Sequence, residues 1–183
     1  MDGFMVSLLN GRLCVANVAG VVYAIDPATG HALWRTDVGG PVWRPVATTP
    51  DAVLVVRDEK SVLALSPVDG SILWTYTPGG FLSPGLSVAG GVVYAGRSVG
   101  GVGHLDALSL RTGALLARIN LVNDTVPMAP AVSSGRVLVA EWDSLLALTL
   151  STSGSPASSS RVVDRGDTSG LPSSVSPVME RHR

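Results

Sequence analysis

Apolar residues fall in short alternating runs, each cut off by residues that favour turns. Met5 to Leu8 leads into Asn10-Gly11, a pair suited to a type I′ hairpin turn because both of its central positions need positive φ. Arg12 to Val18 follows, then a turn at Ala19-Gly20 and a third run, Val21 to Ile25. Pro27 to Gly30 closes another turn, and His31 to Val38 makes a fourth run before Gly39-Gly40. Alternation of this length predicts strands, and no stretch keeps a helical period over about 10 residues. The pattern is all-β.

The same order then recurs. Gly11-Arg-Leu-Cys-Val-Ala16, Asp51-Ala-Val-Leu-Val-Val56, Gly91-Val-Val-Tyr-Ala-Gly96 and Gly135-Arg-Val-Leu-Val-Ala140 align, with first residues 40, 40 and 44 apart. A second set follows each: Ala24-Ile25-Asp26, Ala64-Leu65-Ser66, Ala107-Leu108-Ser109 and Ala147-Leu148-Thr149, spaced by 40, 43 and 40. The added residues sit before Gly135 and in a glycine-rich segment, Gly96 to Gly103, expected to be a loop. Four strands in about 40 residues is the size of one propeller blade. The expectation is a β-propeller of about four blades, near 5–40, 41–80, 81–122 and 123–150, forming a partial or degenerate ring.

Composition changes after Leu150. Residues 151–183 hold ten serines, three prolines and three glycines without apolar periodicity, too little to offset the entropy of ordering, and predict a disordered tail. The 183-residue chain as a whole is 46% hydrophobic and 15% charged, against roughly 25% charged in an average globular protein. That excludes a wholly disordered chain. Thirteen basic against fourteen acidic side chains leave a formal charge of −1, so no basic field favours nucleic acid or anionic lipid. The start lacks a basic then apolar leader, and Val15 to Ile25 is too short to cross a bilayer. As written the chain is expected in the cytoplasm, or outside it if it is part of a longer exported protein.

The turn Ala24-Ile25-Asp26-Pro27-Ala28-Thr29-Gly30-His31-Ala32-Leu33-Trp34 resembles the pyrroloquinoline-quinone-type propeller repeat, whose tryptophan-docking motif reads Ala-x-Asp-x-x-x-Gly-x-x-x-Trp. The second unit keeps Ala64, Gly70 and Trp74, with Ser66 in the acidic place. The third keeps Ala107 and Gly113 but has Ser109 for the acid and Ala117 for the tryptophan. In the fourth only Ala147 remains, with Thr149, Ser153 and Ala157 in the other places. The resemblance implies that Trp34 and Trp74 each dock on a neighbouring blade, and that the parent rings usually have seven or eight blades. WD40 repeats are the rival, but Gly103-His104 and Trp142-Asp143 each occur once, and a real array repeats its signature.

Chemistry is sparse. Quinone enzymes of this resemblance commonly use an adjacent cysteine pair and a convergent calcium set, whereas Cys14 stands alone and the acids are scattered, several of them in turns. A single cysteine also excludes a disulfide framework or a multi-cysteine zinc site. No Ser-His-Asp order, HExxH, phosphate loop or CxxC appears. No catalytic, metal or cofactor residue is expected. Trp43-Arg44, where one blade hands over to the next, is a candidate for contact with a central channel or a partner.

The resemblance extends to propellers that serve as scaffolds in bacterial outer-membrane assembly, and implies a non-catalytic module that binds protein partners. The alternatives are an accessory or sensor propeller of a larger enzyme, of protein kinase or acyl-activating synthetase type, and a fragment of a quinone-dependent dehydrogenase. A homodimer would complete an eight-bladed ring.

Overall fold

The computed structural model describes residues 5–121, 130–133, 136–140, 145–149 and 159–162. All the described elements are strands, arranged as four antiparallel sheets of four strands in chain order. The first sheet holds β1 (Met5–Leu9), β2 (Arg12–Ala16), β3 (Val21–Ile25) and β4 (Ala32–Asp37). The second holds β5 (Ala47–Thr48), β6 (Val53–Arg57), β7 (Ser61–Leu65) and β8 (Ile72–Tyr76). The third holds β9 (Phe81–Ala89), β10 (Val92–Val99), β11 (Val102–Ser109) and β12 (Leu115–Asn120). The fourth holds β13 (Ala131–Ser133), β14 (Arg136–Ala140), β15 (Leu145–Thr149) and β16 (Ser159–Val162).

Successive side chains in a strand point to opposite faces, so each sheet has two. Cys14, Ala16, Val22, Ala24 and Trp34 of the first sheet pack against Val53, Val55, Leu63 and Leu65 of the second. The second sheet's other face, with Leu54, Val56, Val62, Ala64 and Trp74, meets Val93, Ala95 and Leu108 of the third. Tyr94, Leu105 and Ala107 of the third sheet then meet Val137 and Val139 of the fourth. The core is thus a series of apolar layers between consecutive sheets. This explains why β6 and β7 read as nearly continuous apolar runs: both of their faces are covered.

The first strands touch in sequence, β1 with β5, β5 with β9 and β9 with β13, as blades around a common axis do. Hydroxyls reinforce the joins. Ser7 Oγ donates to the Val46 carbonyl at 2.6 Å, Thr48 Oγ1 donates to that of Leu8 at 3.1 Å, and Ser87 Oγ donates to that of Pro130. Among the described residues β1 and β13 make no contact of comparable extent.

Two expectations are corrected. Gly96 to Gly103 is not a loose loop: β10 and β11 pair from Val92 opposite Ser109 to Val99 opposite Val102, and only Gly100-Gly101 turns. Glycines in a strand interior weakened the sequence signal, yet Gly96 and Gly103 pair with Leu105 and Ser98 in the β10–β11 ladder, and Gly96 falls where the pairing with β9 shifts register. The array also does not stop at Leu150, because β16 pairs with β15 from inside the segment read as a tail. An outermost strand has one neighbour and needs little apolar content, so Ser159-Ser-Arg-Val162 carries almost no pattern to detect. The rest of 151–183 lies outside the described residues.

Candidate functional site

The repeat motif becomes a physical joint. Ala24 lies directly across the β3–β4 pair from Trp34, and Ala64 across β7–β8 from Trp74. The small alanine leaves room for the indole to lean toward the next sheet. Trp34 Nε1 donates to the Pro67 carbonyl at 3.2 Å, and Trp74 Nε1 to the Leu110 carbonyl at 2.8 Å, the equivalent place one sheet on. Each ring then covers a glycine. A Cβ at Gly70 would lie 2.5 Å from Trp34 Cε3, and one at Gly113 would lie 2.6 Å from Trp74 Cδ2. Both glycines also have positive φ, +74° and +70°, which closes these turns and which only glycine adopts without cost. Asp26 steadies the corresponding first turn by accepting a hydrogen bond from the Ala28 amide at 2.8 Å.

The joint is incomplete at both ends. Gly30 has the same φ, +72°, but a Cβ there would have no atom within 4 Å. In the third sheet Ala107 faces Ala117. In the fourth, Ala147 faces Ser160 rather than Ala157, because the connection from β15 to β16 is longer than the motif assumes. Ser153 and Ala157 lie outside the described residues.

Sequence reading missed a cluster of charged groups between the second and third sheets. Asp106, fully buried on β11, accepts a hydrogen bond from Tyr76 Oη at 2.7 Å, across the sheet boundary. Arg118 Nε donates to its other oxygen at 2.7 Å. Arg97 Nε lies 2.8 Å from Oδ2, an ion pair whose N–H is not aimed along the contact. Burial and the Asp106 carboxylate push the Tyr76 hydroxyl up to about 12, and hydrogen bonding to Asp106 raises the Arg118 guanidinium. One carboxylate held by two guanidiniums and a phenol is a structural clamp with no exposed reactive atom of its own. Arg57, at the matching place in the second sheet, donates instead to the Val38 carbonyl at 3.0 Å and to Ser61 Oγ at 3.2 Å.

Trp43 and Arg44 lie in the segment joining β4 to β5, both exposed, with Trp43 at 48%. Two clefts open at consecutive sheet junctions. One of about 240 Å³ is lined by Leu9, Asn10, Arg12, Pro50, Pro67 and Val68, and one of about 520 Å³ by Asp51, Leu73, Gly91, Leu110 and Arg111. Among the described residues, the arrangement does not fit a quinone and its calcium. Cys14 is single and buried, and among the described residues no three of His, Cys, Asp or Glu come together. His104 lies in β11 and pairs with Asn120 Oδ1 at 2.8 Å.

Four-stranded blades joined by tryptophans, each seated on its neighbour's glycine turn, define a β-propeller of the quinoprotein-repeat class. Within that class the chain belongs to the family described as outer membrane protein assembly factor BamB, whose model matches residues 2–163. It is 34% identical over 110 residues to the BamB of Nitrosomonas eutropha, covering 56% of this chain and 25% of that protein. Its fold matches the crystal structure of BamB from Moraxella catarrhalis with a TM-score of 0.65 at 18% identity, over 79% of this chain and 48% of that one. The quinohemoprotein alcohol dehydrogenase of Comamonas testosteroni follows at 0.55 and 25% identity, over 63% of this chain and 20% of that one. The chain therefore spans a quarter of the length of the curated relative it matches.

Proposed function

We propose that this propeller is a non-catalytic scaffold that binds proteins engaged in outer-membrane protein assembly, as the name of its relatives indicates for them. The observation that carries the reading is the exposed Trp43-Arg44 pair between the first and second sheets. Tryptophan and arginine are the side chains that most often dominate binding at interfaces, the first through area and the second through its forked donors. A half-exposed indole beside an exposed guanidinium is poised to bury both against a partner. The outer strands add a second resource. Leu33, Ile72, Leu73, Leu115 and Leu116 are exposed at matching places on β4, β8 and β12, each an unpaired sheet edge that an extended peptide can join.

A photo-crosslinking amino acid at position 43, used in cells of the source organism, tests this reading. Crosslinks to outer-membrane assembly proteins are expected, and Arg44→Ala should reduce them without lowering the melting temperature. Failure to crosslink such a protein from position 43, in a chain that is folded and abundant, would refute the assignment of this loop.

A further inference from the structure

The two clefts occupy the same place in consecutive seams, so the first shows what the second lacks. At the first seam Arg12, which opens β2, donates from Nη1 to the Pro67 carbonyl at 3.1 Å. That oxygen also accepts the Trp34 indole, so a guanidinium and an indole share it. At the second seam the Leu110 carbonyl accepts Trp74 Nε1 in the same way. The place of Arg12, however, is held there by Ala52: Leu9 pairs with Arg12 in the first sheet, and Thr49 with Ala52 in the second. A carbonyl oxygen has two lone pairs, and among the described residues no second side chain meets Leu110 O. Without an arginine across it the cleft is about 520 Å³, against about 240 Å³ at the first seam.

The rim of the larger cleft is also charged where the smaller is not. Asp51 stands where the first seam has Gly11, and Arg111 where it has Val68. Both are exposed, and among the described residues neither forms an ion pair. Leu110 and the half-exposed Leu73 supply an apolar wall beside them.

We infer that the cleft between the second and third sheets binds a peptide that ends in arginine. The ligand's guanidinium takes the place that Arg12 has at the first seam, donating to Leu110 O with Asp51 as its counter-charge. Its alkyl stem lies along Leu73 and Leu110, and its terminal carboxylate meets the Arg111 guanidinium. Arginine fits better than lysine because one planar fork can donate to a carbonyl and a carboxylate side by side. A ligand with both charges leaves neither Asp51 nor Arg111 facing a like charge. The hairpin turns that line this cleft lie at the opposite end of the strands from the Trp43-Arg44 segment, so the inference stands independently of the proposed function.

The test titrates N-acetyl-arginine, which keeps the guanidinium and the free carboxylate, into the full chain and follows the backbone amides by NMR. Saturable shifts at Asp51, Gly91 and Arg111 are expected. N-acetyl-citrulline, with a neutral urea, and N-acetyl-argininamide, without the carboxylate, should each bind at least about tenfold more weakly, the loss that accompanies one charge-assisted hydrogen bond. Asp51→Gly and Arg111→Val, which give the second seam the residues of the first, should weaken binding as much. Both positions are exposed, and an unchanged Trp74 indole signal reports that these variants are folded. Ala52→Arg should abolish binding by supplying the guanidinium from the chain itself; should the buried position not accept it, the two rim variants decide. Absence of saturable shifts at millimolar ligand would overturn the inference. So would equal affinity for N-acetyl-citrulline, or binding that survives both rim substitutions.

Discussion

Trp34 fills the space that a side chain at Gly70 would need, with ring carbon Cε3 2.5 Å from the place of its Cβ. Two penalties therefore meet at Gly70, a left-handed backbone and a blocked site, whereas Gly30 carries only the first. Gly30→Ala should cost about 1–2 kcal/mol, the usual strain of a non-glycine residue in that region. Gly70→Ala and Gly113→Ala should each cost clearly more, because the indole must also be displaced. Chemical denaturation of the three variants checks the order. Equal losses would show that the rings are not seated on these glycines.

The tryptophans themselves should divide in the same way. Trp34→Ala and Trp74→Ala each remove a buried ring and an indole hydrogen bond and should cost about 3–5 kcal/mol. Trp43→Ala should be within about 0.5 kcal/mol of the parent, as expected for an exposed position away from the core. Thermal melts would expose the contrast, at about 2–4 °C per kcal/mol for a chain of this size.

Asp106 is the centre on which Arg97, Arg118 and Tyr76 converge. Asp106→Ala leaves Arg97 buried without its counter-charge and should cost about 3–5 kcal/mol. Replacing Asp106 and Arg97 together with leucine and methionine should recover most of that loss, because an apolar pair needs no compensation. If the double variant is no more stable than Asp106→Ala, the buried charge is not the cause.

Alkali acts through Tyr76. Its hydroxyl is pushed up to about 12 by burial and by Asp106, so between the ordinary value near 10 and that point the unfolded chain loses a proton that the folded chain keeps. The stabilisation is present in full below pH about 10 and disappears as pH rises through about 12. Urea melts from pH 8 upward should show this fall in the parent and a shallower one in Tyr76→Phe, while ultraviolet titration should find two phenols, Tyr76 and the buried Tyr94, ionising late.

Cys14 is buried on β2 and its thiol is shifted upward by burial, with Arg12 opposing in part. A thiol-specific reagent should modify it slowly in the folded protein and at once in urea. Fast labelling under native conditions would place it at the surface instead.

Much of the architecture was legible because each unit writes its own record. Asn10-Gly11 marks a hairpin by backbone need alone, and the structure gives those residues φ of 47° and 76°. In the first two motifs the alanine, glycine and tryptophan lie within eleven residues, so the pattern survives in sequence even though its purpose is a contact with the next sheet. Asp106 was illegible for the opposite reason. Its partners Tyr76, Arg97 and Arg118 come from β8, β10 and β12, and nothing along the chain links them before the sheets pack. The fourth sheet shows a third limit: Ser160 faces Ala147 only because a longer connection shifts the register, and motif spacing assumes that connections keep their length.

The replacement of tryptophan by Ala117 on β12 reaches beyond that strand. In a row of units that grip only their neighbours, strength is decided joint by joint. The first three sheets are held by two seated indoles and a buried ionic clamp, while the third meets the fourth without an indole opposite Ala107. Under tension along the chain, the array should part at that seam first, leaving residues 5–121 as one mechanical block.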